Sequence, residues 1–562
     1  MSLKYLKIYT LLLFFLPITI FAKSLDNSQF SELMKLRLKE GQKTRASLSI
    51  DGKKLFGVNA INRLYETNNY ASLWNETAGE QLLIEINQAV LFDGLVRDDY
   101  MLPGIEAMVK GQELSDLDTK QRVERELALT ESFLRLNYHL RFGKVNPEAI
   151  DSNWNYEKRL DFKDPVEDLS RAIKDKKIKA LLAKERPAHS HYHKLRGILA
   201  EYRKLETAGG WKAIDSGPTI KLGQQGKRIT QVRERLIKTD ELFAKTGVKE
   251  LALPYNENLQ QAIIRFQKQH SLDTDGKVGK NTLNALNLSV ADRIDQIRLN
   301  LERLRWVMHE LDDKFILVDI PGFKVILINN GKFEWQGKIQ VGRAYTATPI
   351  FKGKLKYLEF NPTWTIPPGI IKRSILPGLK KDSDYLAKKG FLLLDLKGKE
   401  LNPKSIDWNA IKGFPYMVRQ PAGKNNALGL VKFIFPNSHF VFLHDTNHRE
   451  LFDRNTRTFS AGCIRVENPF DFATHLLEKT PGWNRKNIDE LVASGETKRI
   501  NPKDSIDVLI TYTTVGVDQH DNVVFKQDIY NRDKAVLAAL NGKIKVAKDV
   551  KKALQKSFKM TE

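Results

Sequence analysis

Cysteine is almost absent from this sequence: 562 residues contain one, Cys463. A single thiol cannot close a disulfide within its own chain, so no bridge framework holds the fold. It also excludes a cysteine-rich zinc site. Long apolar runs are scarce as well, and none beyond the first two dozen residues nears the ~20 apolar residues a spanning helix needs. The start is the exception. In "MSLKYLKIYTLLLFFLPITIFAKS", Lys4 and Lys7 precede an apolar run from Ile8 to Ala22. Residues 1–22 read as a secretory signal peptide, with an uncleaved anchor as the alternative because Ile20 suits a cleavage site poorly. In an exported protein an unpaired thiol is either buried and inert or kept for its chemistry, and composition leaves both open.

Acidic residues are outnumbered, 68 against 91 Lys and Arg, for a net charge of +23. The balance is diffuse rather than gathered into tails. It suits either a basic surface that keeps the protein soluble or attraction to a polyanion. Export argues against nucleic acid, and there is no zinc-finger spacing or aromatic-basic RNA motif. An acidic cell-wall polymer fits better. A hydrophobic share of 41% and a charged share of 28% are ordinary for a globular protein. The length implies about three or four domains.

Residues 23–215 read as helical, with apolar residues spaced by three and four in "NRLYETNNYASLW" and "QRVERELALTESFLRLNYHLRF". His189, His191 and His193 in "HSHYH" could bind metal on a strand, but the helical period that follows makes them the start of a solvated helix instead. Residues 216–290 form a compact unit ending in "DGKVGKNTLNALN", with turns at Asp275-Gly276 and Gly279. This unit resembles the peptidoglycan-binding type 1 domain, a three-helix module of wall enzymes, though it could serve merely as a spacer. A linking helix, 291–312, follows. From 313 to 517 the period changes to β-rich runs divided by Pro-Gly and Asn-Gly turns. About 367–428 is rich in Lys, Gly and Pro, has little strand pattern, and reads as a lid insertion. Residues 518–562 give one more strand and a basic tail.

The chemistry centres on "HDTNHRELFDRNTRTFSAGCIRVENP", residues 444–469. A thiol attacks carbonyls as thiolate, and needs a base and donors for the oxyanion. Alternation along "HFVFLHD" puts Phe440, Phe442 and His444 on one face, and sends His439 to the other. His444 is therefore the favoured base over His439 and His448. Gly462 permits close backbone approach, and the amides around Cys463 can face an oxyanion. A buried thiol beside a core-edge histidine remains the alternative on spacing alone.

His444 with Ser460-x-Gly462-Cys463-Ile464-Arg465 resembles the active-site signature of L,D-transpeptidases with a YkuD-type catalytic domain. The stretches "NPTWTIPP", "NALGLVKFIFPNS" and "LHDTNHRELFDRNTR" resemble the larger YcbB-like Gram-negative subgroup. That resemblance implies an α+β multidomain protein: a helical scaffold domain, a peptidoglycan-binding module and a β-rich catalytic domain with a lid. It implies Cys463 as nucleophile, His444 as base, and Gly462, Cys463 and Ser460 around the oxyanion. Arg465 either fixes a substrate carboxylate or holds the loop. Trp364 lines the cleft or sits in a core, and Phe442 stands where the subgroup carries tyrosine. Ala461 replaces a histidine common in the family, which leaves His444 as base. Asp445 is not assigned as its orienter, since an adjacent strand residue points away.

The implied reaction is a 3→3 cross-link between diaminopimelate residues, with peptidoglycan tetrapeptide stems as donor and acceptor. It proceeds through a cysteine thioester with loss of D-alanine, without metal or organic cofactor, and with carbapenems as covalent inhibitors. The location would be the periplasm, with inner-membrane association if the signal is retained. Open alternatives are an L,D-carboxypeptidase, exchange of D-amino acids or protein attachment by the same thioester, and a non-catalytic wall-binding scaffold.

Overall fold

The computed structural model describes residues 16–43, 48–150, 154–155, 165–309 and 311–542. Most of the signal segment, residues 1–15, and most of the basic tail, 543–562, lie outside these. No helix among the described residues is long and apolar enough to cross a membrane.

Four apolar clusters organise the chain. The first gathers Phe30, Trp74, Phe133 and Leu140 within helices that include Glu76–Asp93 and Thr119–Phe142. Each of these two starts at a side-chain cap: Asn75 accepts from Ala78 N–H and Asp118 from Gln121 N–H. The second cluster, with Val232, Leu259, Ile263 and Leu286 at helical spacing, holds helices Lys227–Ile237, Glu257–Gln269 and Lys280–Asn287. A further short helix, Glu241–Gly247, joins the three expected from the pattern.

The largest cluster fills the C-terminal half. Helix Val290–Val307, opened by a Ser289–Asp292 capping box, packs on helix Ser190–Thr207, and both contribute to it. His191 is therefore not solvated as its position suggested. Its Nε2 donates to the Val517 carbonyl at 2.9 Å, and His189 lies edge-on to Phe315; only His193 is exposed.

The principal sheet comprises β1 (Lys314–Asp319), β2 (Lys324–Asn329), β3 (Lys332–Gly342), β4 (Ile350–Leu355), β5 (Tyr357–Phe360), β6 (Val431–Ile434), β7 (Leu443–His444), β8 (Ile464–Val466), β9 (Lys498–Ile500) and β10 (Ile506–Thr511). Its order is β9-β5-β6-β7-β8-β3-β2-β1-β10-β4, with Trp154–Asn155 added beside β4. The pairs β7/β8 and β1/β10 are parallel and the rest of these ten are antiparallel. Alternation puts Leu358, Phe360, Val431, Phe433, Leu443, Ile464 and Val466 into the core.

The insertion between β5 and β6 differs from its expected loop character. Leu392–Leu394, Glu400–Leu401, Met417–Gln420 and Trp364–Thr365 form a separate four-stranded sheet. Ile371, Leu386, Trp408 and Val418 give it a core of its own. The strands are two to four residues long, too short for alternation to register in sequence. Asn426 fastens its stems, donating to the carbonyls of Pro362 and Pro421 at 3.1 and 2.8 Å.

Candidate active site

Two parallel strands bring the thiol and imidazole together. Leu443 pairs with Ile464 and His444 with Arg465. One step earlier, Ile464 N–H donates to Phe442 carbonyl at 3.1 Å, so Cys463 lies opposite Phe442. Register partners share a face, as do residues two apart. Phe442, His444, Cys463 and Arg465 therefore face the same side of the sheet, a juxtaposition of residues nineteen or more positions apart.

His444 is 4% exposed, and its Nδ1 lies 2.5 Å from the Asp445 carbonyl. A carbonyl only accepts, so Nδ1 carries the proton and Nε2 keeps a lone pair. Burial, joined by the nearby Arg465 and Lys432 charges, outweighs the Asp445 and Leu428 carbonyls and lowers the imidazole to about 3. It is neutral at physiological pH. The Asp445 side chain does point away, as alternation predicts: its Oδ2 accepts from Leu430 N–H at 2.9 Å and Arg449 approaches it. Its main chain nevertheless orients the imidazole. Sequence reasoning missed this because a carbonyl carries no residue signature. Gly429, at φ +63°, gives the closely packed turn beside Asp445 its shape, and a Cβ there would collide with that side chain.

Cys463 is partly accessible, and its Sγ lies 3.8 Å from the Phe440 carbonyl. Burial pushes the thiol up from its ordinary value. The Phe442 N–H and the charges of Arg465 and Lys432 pull the other way and lose. The resting pair is thus neutral thiol and neutral imidazole.

Ser460 acts on the turn rather than facing outward. Its Oγ donates to the Cys463 carbonyl at 2.6 Å and accepts from Gly462 N–H at 3.0 Å. The Gly462 amide, expected as an oxyanion donor, is thereby occupied. The Cys463 N–H has no acceptor among the described residues and is the donor left over. Gly462 itself sits at φ +124°, a conformation that favours glycine.

One further expectation changes, that for Phe440. Phe440 does not continue the strand: it stands at φ +55°, 83% exposed, and β7 is only two residues long. Phe442 is half-buried, its ring centroid 5.7 Å from that of His444. Trp364 packs in the insertion's core, edge-on to Phe391. Arg465 Nη1 donates to Gln340 Oε1 at 3.1 Å. His439 packs beside Phe351, and exposed His448 pairs with Glu450.

Together these features define a multidomain α+β protein whose β-rich domain presents one thiol beside a tautomer-fixed histidine. Residues 313–483 match the L,D-transpeptidase catalytic domain, residues 59–199 a scaffold domain, and residues 225–286 the "Putative peptidoglycan binding domain". A Haemophilus influenzae protein described as "Putative L,D-transpeptidase" is 30% identical over 388 residues, covering 64% of this chain and 77% of that one. The chain belongs to the L,D-transpeptidase family.

Among solved structures, the Ldtfm–avibactam carbamoyl enzyme is 14% identical, covering 36% of this chain and 49% of that one, with a TM-score of 0.18. A cysteine-to-serine variant of the Enterococcus faecium L,D-transpeptidase is also 14% identical, covering 36% and 50%, with a TM-score of 0.17. The chain thus spans about half the length of each. A Xylanimonas cellulosilytica L,D-transpeptidase fragment is 14% identical, covering 53% of this chain and 99% of its own, at a TM-score of 0.16.

Proposed function

We propose that this chain is a periplasmic peptidoglycan L,D-transpeptidase that forms 3→3 cross-links through a thioester on Cys463. The observation that carries the reading is the shared face of Cys463 and His444, with His444 Nδ1 engaged by a carbonyl and Nε2 left as base. Cys463 Sγ attacks the carbonyl joining the L-centre of diaminopimelate to terminal D-alanine, and its proton passes to His444 Nε2. The Cys463 N–H receives the developing oxyanion. The C–N bond then breaks, His444 returns the proton to the departing D-alanine amine, and a thioester remains. The side-chain amine of a second stem attacks this thioester. His444 takes that amine's proton and returns it to sulfur as the C–S bond breaks. The basic surface and the module at 225–286 support a wall polymer as substrate. The lysine-led apolar start supports export to the periplasm. Carbapenems, reactive acyl donors, are expected to acylate the same sulfur.

Incubating the protein with disaccharide-tetrapeptide and following mass tests this. Loss of D-alanine with dimer formation is expected, and Cys463→Ala abolishes both. Conversion to tripeptide without dimer would instead make it an L,D-carboxypeptidase. Cross-linking by Cys463→Ala would overturn the mechanism.

A further inference from the structure

A row of charged and polar side chains crosses the sheet beside the thiol. Arg499 pairs with Glu359, Glu359 with Lys432, Lys432 with His444, His444 with Arg465, and Arg465 with Gln340. Directly opposed residues project to one face, so five strands contribute to this row besides β7. Arg499 Nε lies 2.6 Å from Glu359 Oε2, whereas Lys432 Nζ lies 3.5 Å from Oε1. The carboxylate thus belongs first to Arg499. Lys432 is left partly uncompensated, with Nζ 4.9 Å from the centroid of the Phe442 ring. Phe442 is the residue opposite Cys463.

The other neighbour of His444 repeats the imbalance. Arg465 has a neutral partner in Gln340, and its Nε is buried without an acceptor among the described residues. Arg343 and Glu450 also face it, one of each sign. The row holds three cations, Arg499, Lys432 and Arg465, against the single carboxylate of Glu359. With His444 and Cys463 neutral, it carries excess positive charge where the sulfur sits. Arg499 is exposed, whereas Lys432 and Arg465 are half-buried, where a cation without a compensating anion is costly. Strand cohesion does not require it, since Val, Thr or Ile would serve on a pleated surface. An anion formed during the reaction supplies the missing partner.

We propose that Lys432 is a positioning residue whose ammonium, laid on the Phe442 ring opposite Cys463, supports the thiolate of Cys463. This deepens the proposed function, resting on Cys463 as nucleophile. It assigns to the strand before His444 a share in activating the sulfur. No covalent bond forms at Lys432, and the thiol proton still goes to His444.

Because Cys463 is the chain's only cysteine, iodoacetamide labelling of the full protein reads its ionisation directly, without peptidoglycan. Failure here is thus distinct from failure to cross-link. In Lys432→Met the pH of half-maximal alkylation is expected to rise by about one unit, the effect of losing one nearby opposite charge. At neutral pH the labelling rate then falls about tenfold. Lys432→Arg restores the midpoint. Glu359→Gln removes the competing carboxylate, keeps all three cations, and lowers the midpoint. An unmoved midpoint in Lys432→Met overturns the proposal. So does a rise in Glu359→Gln, which would make strand packing rather than charge the cause, and this second variant decides the matter should Lys432→Met not fold.

Discussion

At the scale of single residues, the site depends on groups that hold the reacting atoms rather than on those atoms alone. Ser460 is the clearest case. One hydroxyl donates to the Cys463 carbonyl and accepts from Gly462 N–H, fixing the turn at both ends. Losing a buried hydrogen bond costs about 0.5–1.5 kcal/mol. Here two are lost, and the Gly462 amide is freed beside the Cys463 amide. Ser460→Ala is therefore expected to lower kcat roughly tenfold to a hundredfold, the cost of misplacing oxyanion donors. KM for the donor stem changes less. The check is steady-state kinetics on tetrapeptide together with a thermal melt. A kcat equal to that of the unaltered protein would show that the turn keeps its shape without the hydroxyl.

At the scale of elements, the site is braced from the far end of the chain. The Tyr530 hydroxyl donates to Gly342 carbonyl at 2.6 Å and receives Thr348 N–H at 3.3 Å. Thr348 Oγ1 in turn donates to Gly462 carbonyl at 2.9 Å, and Thr346 Oγ1 to Ser460 carbonyl at 3.2 Å. Residues 343–348 thus connect Tyr530 to the turn carrying the thiol. Tyr530→Phe keeps the ring stacked on Tyr512 and removes only the hydroxyl. Turnover is expected to fall severalfold, while hydrogen exchange rises in 343–348 and 460–463 and not in the insertion. Exchange unchanged in both segments would remove Tyr530 from the support. This brace shows where sequence reading stops. Cys463, Gly462 and Ser460 were legible because they are local and chemically distinctive. His444 followed from a short alternation, although Phe440 departs from it. Lys432, Glu359 and Tyr530 reach the site only through strand register and chain return, which no window of sequence contains. The insertion's sheet was hidden for another reason, since two-residue strands show no period.

At the scale of the whole molecule, burial lowers seven histidines among the described residues, His191 and His193 together with the five that follow. His444 is lowered to about 3, His189 and His309 to about 4, and His139 and His270 lie well below their ordinary value. Unfolding restores each to about 6.5. Between that value and the folded one, the unfolded chain binds protons that the folded chain does not, so stability falls as pH falls. The contribution is complete above about 6.5 and disappears toward 4 and below. Buried carboxyls oppose it over an overlapping range: burial raises Glu126, Glu85 and Asp99, so above about pH 4 the folded chain takes up protons before the unfolded chain does. The two effects overlap between about pH 6.5 and 4, so the histidine part is read by removing one histidine. His270 isolates it. Its ring stacks between Phe266, with centroids 3.8 Å apart, and Phe525 of the antiparallel pair Val515–Val517 and Val523–Phe525, at 5.2 Å. His270→Phe preserves that stack and removes the titration. One fully buried histidine contributes up to about 1.4 kcal/mol per pH unit in this window. The melting midpoint is expected to fall from pH 7 to pH 5, and to fall less steeply in His270→Phe. Equal slopes would mean that His270 opens to water before the main transition, so that the module at 225–286 separates from Phe525 first.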